Sequence, residues 1–536
     1  MSENLTQIIK QYATATPSVD AVIEMKRGRL QNAVIRRRLC YGEFDRRIDQ
    51  YCTKFQKKGI RHGQRVLMMV PPGLEMMCTF FALIRIGAVP ILIDTGVGPK
   101  EFIRLANFSK PDFIICTRKV SFLIALKLLP ISGRTITVYR SFAKHQKPSD
   151  VMFPLEDQQT AAILFTSGST GPAKGVVYQR RHFAAQLSKL RTTYKLVPNG
   201  RDVTLLPAFM LFNPMFGRTT VIPSIDYAHP SKLSPAHVTQ TIANCCATSS
   251  FGAPVLWNKI ADYCIEHEIK IRSLERIFLA GMSAPIPTLE KLQKIAPNAK
   301  IYTPYGATEC LPICSISAEE ILEDVRPLQE NGAGTCVGKP VEGIEIKIIE
   351  PSDAPIETID KNNTLELGFI GEIVVSGTNV TESYDQLTDE TRFAKIIDRD
   401  KIWHRMGDLG FLDQRGRLWV VGRRTERVIA SDKEEYYPDC IEPLFCKYSK
   451  VDRAALIKYA TKNRIEPAIV ILPKKGEYPY FFWQRWSFTK ELRTIAQHFP
   501  KTEKITHFFF VKKLPVDPRH NAKIHRSTLS RRFSKI

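Results

Sequence analysis

Residues 166–175 read Thr-Ser-Gly-Ser-Thr-Gly-Pro-Ala-Lys-Gly. They follow the apolar stretch Ala161-Ala-Ile-Leu-Phe165 directly. The glycines allow left-handed dihedrals and close backbone approach. The hydroxyls and exposed N–H groups suit phosphate oxygens. Lys174 adds a point charge. Glycine, hydroxyl and lysine in one short run read as a loop that grips the phosphates of a nucleotide, against the plainer reading of a surface loop. It is not a Walker A loop: Lys174 stands three residues after Gly171 and precedes a glycine, not Ser or Thr.

Outward from that loop, short β-like runs alternate with helical patterns. Arg65-Val-Leu-Met-Met-Val70 reads as a buried strand, Leu74 to Ile86 as an apolar helix, and Pro90–Asp94 and Asp112–Cys116 as further strands. Continuous apolar strands alternating with helices predict parallel sheets covered by helices. Ile344–Ile349 and Gly371–Gly377 alternate or end in glycine and predict a β-rich subdomain. A boundary is expected near Arg423-Arg424-Thr425, dividing the chain into residues 1–423 and 424–536. The fold class expected is α/β: a large N-terminal domain of helix-covered sheets plus a β-rich subdomain, then a small α+β C-terminal domain.

The chain carries 77 Lys and Arg against 54 Asp and Glu, a net charge of +23. Such an excess favours anionic partners such as a nucleotide, an acidic carrier protein or a membrane surface, with general solubility the simplest account. Basic residues are scattered in pairs and triplets such as Arg36-Arg-Arg38, without a long run, which argues against nucleic acid. Cys245-Cys246 and Cys310/Cys314 lack a second half at zinc spacing, so buried thiols in a reducing compartment are expected. The start of the chain shows no signal-peptide pattern, and the apolar stretch Cys78–Ile93 contains Arg85 and is too short to span a bilayer. A cytoplasmic protein is expected. Tyr478-Pro-Tyr-Phe-Phe-Trp-Gln-Arg-Trp-Ser-Phe488 is read as a packed face of the small domain, with peripheral contact to a lipid interface as the other reading.

The loop 166–175 resembles the signature loop of adenylate-forming enzymes: acyl-CoA synthetases, peptide-synthetase adenylation domains and luciferases. Tyr305-Gly-Ala-Thr-Glu309, His404-Arg-Met-Gly-Asp408, Val421-Gly-Arg423 and Pro515-Val-Asp-Pro-Arg-His-Asn-Ala-Lys523 look like the family's further motifs, in the family's order. The resemblance implies ATP-dependent carboxylate activation and a C-terminal domain that swings about a hinge, here at Thr425. It implies that Thr166, Ser167, Gly168, Ser169, Thr170, Gly171 and Lys174 fold over the β- and γ-phosphates. By the same resemblance Glu309 would hold Mg²⁺, with Thr170 as a second metal contact, and Thr308 would touch the α-phosphate. Tyr305 and Gly306 belong to the nucleotide site, although read alone they could form a turn after a strand starting at Lys300. Gly281, in Ala280–Pro285, resembles the adenine-lining segment. Asp408 would accept the ribose hydroxyls, Arg423 would add a ribose or phosphate contact, and Lys523 would bridge carboxylate and α-phosphate during adenylation.

Two departures narrow the branch. Acyl-CoA ligases carry a glycine after the hinge that lets pantetheine pass. Here Val428-Ile-Ala-Ser-Asp-Lys-Glu-Glu-Tyr-Tyr-Pro438 has none, and Asp432, Glu434 and Glu435 are expected to repel CoA phosphates. Leu211–Gly217, Ser250–Trp257, Gly332–Gly338, Ile402–Asp408 and Arg519–Ile524 resemble the β-lactone synthetases of long-chain olefin biosynthesis. That resemblance implies activation of a 2-alkyl-3-hydroxy fatty acid, whose own hydroxyl then closes the ring. Leu206, Phe209, Met210, Phe212, Met215, Phe216 and Trp257 are candidates for an acyl tunnel, with plain core as the other reading. His404, where the family usually has tyrosine, is the candidate base. A fatty acyl-CoA ligase and an acyl-AMP ligase loading a carrier protein remain as alternatives, and other lipid-pathway enzymes are possible partners.

Overall fold

The computed structural model describes residues 5–28, 32–139, 142, 146–148, 152–154, 156–166, 173–227, 229–360, 363–462, 464–516 and 524–534. The chain divides into two compact units. The first comprises Met1–Ile313, Val341–Ile344 and Ser376–His404; the second comprises Cys314–Pro340, Glu345–Val375 and Arg405–Ile536.

In the first unit, one sheet runs in the order Arg134–Thr137, Phe113–Cys116, Arg65–Met69, Val89–Leu92, Thr160–Phe165, Gly175–Gln179. Its neighbours are parallel except for the last pair. A second set of strands runs from Asp20–Arg27 through Thr219–Ile222, Arg201–Thr204, Ser249–Gly252 and Arg276–Leu279 to Lys300–Ala307, parallel throughout. Phe113–Cys116, Thr219–Ile222 and Ser249–Gly252 are buried along their whole length, as two-sided coverage of a parallel sheet requires. The helix Leu74–Arg85 is buried at every position but Glu75. Arg85, which interrupts the apolar run in sequence, is 1% exposed and pairs with Asp45 at 2.7 Å and Asp49 at 2.6 Å. Both partners lie on the helix Tyr41–Lys57, so the charge ties two core helices together. No helix among the described residues is long and apolar enough to cross a membrane.

The second unit contains the antiparallel strands Thr335–Pro340 and Leu418–Arg423 and, from Arg405 on, the strand Lys401–Leu412. It also holds a three-stranded sheet of Val451–Ala460, Ile465–Pro473 and His507–Phe510. Ile441 and Phe445 of the helix Pro438–Cys446 and Leu492 and Ala496 of the helix Phe482–Gln497 share a core with Leu456, Ile469 and Ile471 of that sheet. Leu529 of the helix Arg526–Phe533 packs with Ala455 and Ile457. This is the α+β pattern the sequence predicts.

One alternative reading falls away and one expectation is corrected. Tyr305-Gly306 is no turn: the strand Lys300–Ala307 runs through it, and the chain turns at Thr308-Glu309. A Cβ on Gly306 would come within 2.7 Å of the Cys310 carbonyl, so glycine is needed for the returning strand to pass. Nor is Tyr478–Phe488 a packed face. Only Phe488 and Pro479 are buried there, while Phe482 is 81% exposed, because the helix turns Phe488, Leu492 and Ala496 inward and its aromatic side outward.

Candidate nucleotide-binding site

In the first unit, a hairpin, a strand end and the segment Ser376–His404 carry the candidate residues. The loop 166–174 joins two antiparallel strands in which Phe165 faces Gly175. Its neck is closed twice: the Thr166 N–H donates to the Lys174 carbonyl at 2.9 Å, and the Lys174 N–H donates to Thr166 Oγ1 at 3.1 Å. Ser167, Gly168, Ser169, Thr170 and Gly171 lie outside the described residues. Lys174 Nζ sits 4.9 Å from the ring centroid of Tyr384, in cation–π range.

Tyr384 carries the connection onward. Its hydroxyl donates to Glu309 Oε1 at 2.7 Å. The Glu309 carbonyl accepts both from the Thr381 N–H, at 2.9 Å, and from the Thr381 hydroxyl, at 3.1 Å. The neighbouring Thr308 carbonyl accepts from the Tyr178 hydroxyl. Glu309 is thus a buried, oriented carboxylate held at side chain and backbone. One carboxylate of this kind, with phosphate oxygens to complete the shell, fits Mg²⁺, which takes few protein ligands. Gly281 follows the strand Arg276–Leu279 at φ +91° with open space around it, a turn that L side chains rarely adopt.

Lys395 is a residue the sequence reading missed. It is 6% exposed, and its Nζ lies 3.5 Å from Thr381 Oγ1. Burial pushes its ammonium down to about 8, against the pull of Glu309, Cys310 and Glu382 in the opposite direction. The only signal in sequence was a lysine inside the apolar run Phe393-Ala394-Lys395-Ile396. The cost of this charge is testable. In the unfolded chain the ammonium keeps its usual high pKa, so the folded state binds fewer protons between about pH 8 and pH 10.5, and stability contributed by this group rises with pH there. Below that window the penalty is fully present. Lys395→Met is therefore expected to raise stability near pH 7 by at most about 3 kcal/mol. The gain should shrink toward zero near pH 10.5, as read by thermal melting at several pH values. A melting difference that does not change with pH would refute this account of Lys395.

His404 is 3% exposed on the strand Lys401–Leu412, opposite Lys395. Its Nδ1 lies 3.2 Å from the Ala394 carbonyl, an acceptor, so Nδ1 carries the proton and Nε2 is the basic nitrogen. The neutral His182, accepting the Gln179 N–H at Nδ1, is pushed down to about 4 by burial and by Arg181 and Lys395.

Of the tunnel candidates, Phe209, Phe212 and Phe216 line a cavity of about 30 Å³, together with Phe251 and Phe278. Met210 and Trp257 are fully buried. Phe209 and Phe251 stack with centroids 3.4 Å apart. A cavity of this size has room for a few waters at most, so an acyl chain bound here would need these rings to part. On its polar side Arg218 donates to Ser249 Oγ at 2.9 Å, and Ser249 donates to Asp202 at 2.7 Å.

In the second unit, Asp408 and Arg423 face each other across antiparallel strands. Arg423 Nε is 3.0 Å from Asp408 Oδ1, and Arg423 Nη1 donates to the Met406 carbonyl at 3.1 Å. Asp408 is 6% exposed. Lys523 lies outside the described residues. Thr425 sits in a single 3₁₀ turn, Arg424–Glu426. After it, Val428–Ile429 and Glu435–Tyr436 form a hairpin in which Lys433 holds φ +69°, a conformation that glycine adopts at less cost. The repulsion expected from the acidic residues is reduced. Lys504 pairs with Glu434 at 2.5 Å and with Asp432 at 3.5 Å, and Arg427 pairs with Glu435 at 3.1 Å.

The matching family model is that of the AMP-binding enzymes, over residues 10–385, and the chain belongs to this family. It is an adenylate-forming, ATP-dependent carboxylate-activating enzyme. The chain is 34% identical to the olefin β-lactone synthetase of Xanthomonas campestris pv. campestris over 513 residues, covering 92% of this chain and 90% of the relative. It is 33% identical to the olefin β-lactone synthetase of Stenotrophomonas maltophilia at the same coverage. Among solved structures it is similar to O-succinylbenzoate coenzyme A synthetase from Bacillus subtilis, with a TM-score of 0.77, 21% identity and 97% of each chain covered. MatB from Rhodopseudomonas palustris matches with a TM-score of 0.79, 18% identity and full coverage of both chains. These two likenesses support the fold.

Proposed function

We infer that this enzyme activates a long-chain 2-alkyl-3-hydroxy fatty acid as its acyl-adenylate and then closes it to a β-lactone. The observation that carries this reading is the 34% identity to an olefin β-lactone synthetase over 92% of the chain. In the first half-reaction a carboxylate oxygen attacks the α-phosphorus of ATP and pyrophosphate leaves. Two anions must meet, so the chain must supply positive charge and oriented donors. Lys174 and the loop 166–171 would bind the β- and γ-phosphates, with Thr308 at the α-phosphate. Glu309 and Thr170 would hold Mg²⁺, which supplies charge neutralisation on the phosphates when bound. Gly281, Tyr305, Gly306, Asp408 and Arg423 would position the nucleoside, and Lys523 would bridge the reacting carboxylate and phosphate.

In the second half-reaction the substrate's own 3-hydroxyl oxygen attacks the acyl carbon, the bond to AMP breaks, and the hydroxyl proton passes to a base, for which His404 Nε2 is the candidate. An internal nucleophile gains effective molarity and needs no second substrate. The absence of a glycine at 428–438 agrees with that. The division at Thr425 into parts 1–423 and 424–536 is proposed as the hinge between the half-reactions.

The test is mass spectrometry of products from the full-length protein with ATP, Mg²⁺ and a 2-alkyl-3-hydroxy acid, with and without CoA. A product lighter than the acid by one water, formed with AMP whether or not CoA is present, is expected. An acyl-CoA product, the outcome left open by the paired acidic residues after the hinge, would replace this reading with a ligase. Full cyclisation by His404→Ala would remove His404 from the mechanism.

A further inference from the structure

The helix Phe482–Gln497 has two unlike faces. Phe488, Leu492 and Ala496, spaced by four, are buried in the core of the second unit. The opposite side and the residues leading into it carry Tyr480, Phe481, Phe482, Trp483 and Trp486, each between 53% and 81% exposed. Phe481 and Trp483 stack on one another at 4.7 Å with nearly parallel rings. Single exposed apolar side chains are commonplace, but a contiguous aromatic group marks a contact surface.

Charge indicates what the surface meets. Lys474, Lys475, Arg485 and Lys490 flank or interrupt the aromatic group in sequence, and they and Lys512 and Lys513 are all exposed. Lys512 Nζ lies 4.8 Å from the Tyr480 ring and Lys490 Nζ lies 5.7 Å from the Trp486 ring. In residues 474–491 and 512–513 the carboxylates are Glu477 and Glu491, and Glu491 is paired with Lys450 at 2.9 Å. A cationic rim complements an anionic surface. The composition of the group narrows the occupant further, because it is built from Trp, Tyr and Phe with no exposed aliphatic residue, and the indole and phenol rings settle at the headgroup level of a bilayer. Aromatic side chains held in water with basic residues alongside have the composition of a surface that rests on a membrane interface.

We propose that the aromatic side of the helix Phe482–Gln497, with its basic rim, docks this enzyme on the surface of an anionic lipid bilayer. The aromatic rings enter the interface while the lysines and Arg485 face the headgroup phosphates, and attachment is peripheral and reversible. This is independent of the reaction proposed above: a membrane assay reads one and an adenylation assay the other.

The experiment uses full-length protein and vesicles of phosphatidylcholine alone or containing about one third phosphatidylglycerol. Co-sedimentation with the anionic vesicles is expected, weakening by about tenfold or more between low and high salt as the charges are screened. The triple variant Phe482→Ser/Trp483→Ser/Trp486→Ser should lose about tenfold or more in binding, with ATP–pyrophosphate exchange and melting temperature unchanged. Tryptophan quenching gives a second readout, since of the five tryptophans Trp257, Trp403 and Trp419 are fully buried. Anionic vesicles should therefore shield Trp483 and Trp486 from an aqueous quencher. Absence of wild-type binding to anionic vesicles at low salt, or equal binding by the triple variant, would overturn the proposal. So would self-association of the wild type that the triple variant abolishes, because the occupant would then be a second copy.

Discussion

Glu309→Gln is expected to slow ATP–pyrophosphate exchange by about 10²–10³-fold without unfolding the enzyme. The substitution is nearly isosteric. The amide oxygen can still accept from the Tyr384 hydroxyl, which lies 2.7 Å from Oε1 in the wild type, and the backbone carbonyl keeps both hydrogen bonds from Thr381. What disappears is the negative charge with which Glu309 would hold a hard cation. The effect should fall mainly on the Mg²⁺ concentration needed and on the maximal rate. Tyr384→Phe is the companion: it keeps the charge but removes the hydroxyl that orients it, and a loss of only several-fold is expected. Exchange by the Glu309→Gln enzyme within about twofold of wild type across a Mg²⁺ titration would dismiss Glu309 as the metal-binding carboxylate.

The second large effect concerns stability. Arg405 and Glu372 pair at 2.7 Å with both side chains only 1% exposed. Arg405 donates as well to the carbonyls of Ala354 and Ser352. Arg405→Met is expected to cost about 3–5 kcal/mol, because it leaves a carboxylate buried with only Arg424 Nε at 3.9 Å as its remaining cationic neighbour among the contacts described. For a unit of this size that is a drop of roughly 8–15 °C in its calorimetric transition. The double replacement Arg405→Met/Glu372→Met should recover most of the loss, since removing both charges removes the desolvation penalty along with the attraction. A double variant as unstable as the single one would mean that packing around Arg405, rather than the unpaired charge, sets the cost.

Much of this protein can be read along the chain. The strands Arg65–Met69, Ile344–Ile349 and Gly371–Gly377 and the helix Leu74–Arg85 lie within about a turn of where apolar periodicity puts them. The phosphate-loop motif, with Gly306 and Gly281, is equally local, because a turn or a close approach demands its residue type at one position. Such features depend on a few neighbouring residues, and sequence states those directly.

Other features depend on partners distant in the chain. Nothing near Lys395 reveals that Thr381 and the charge of Glu309 lie beside it, or that burial depresses its ammonium. Tyr384, which links Lys174 to Glu309, is 75 residues from the carboxylate it orients. The acidic run at 432–435 reads as repulsive until Lys504 and Arg427 are seen paired with it. The aromatic run at 478–488 reads as core until the helix turns its Phe488–Leu492–Ala496 stripe inward. The sequence by itself determined the order of the motifs, and their resemblance to those of adenylate-forming enzymes implied the class of enzyme. Only the tertiary structure decided which charges are buried, which are neutralised and which apolar side chains stay in water, because solvent exposure and Coulomb interactions are set by distance in space.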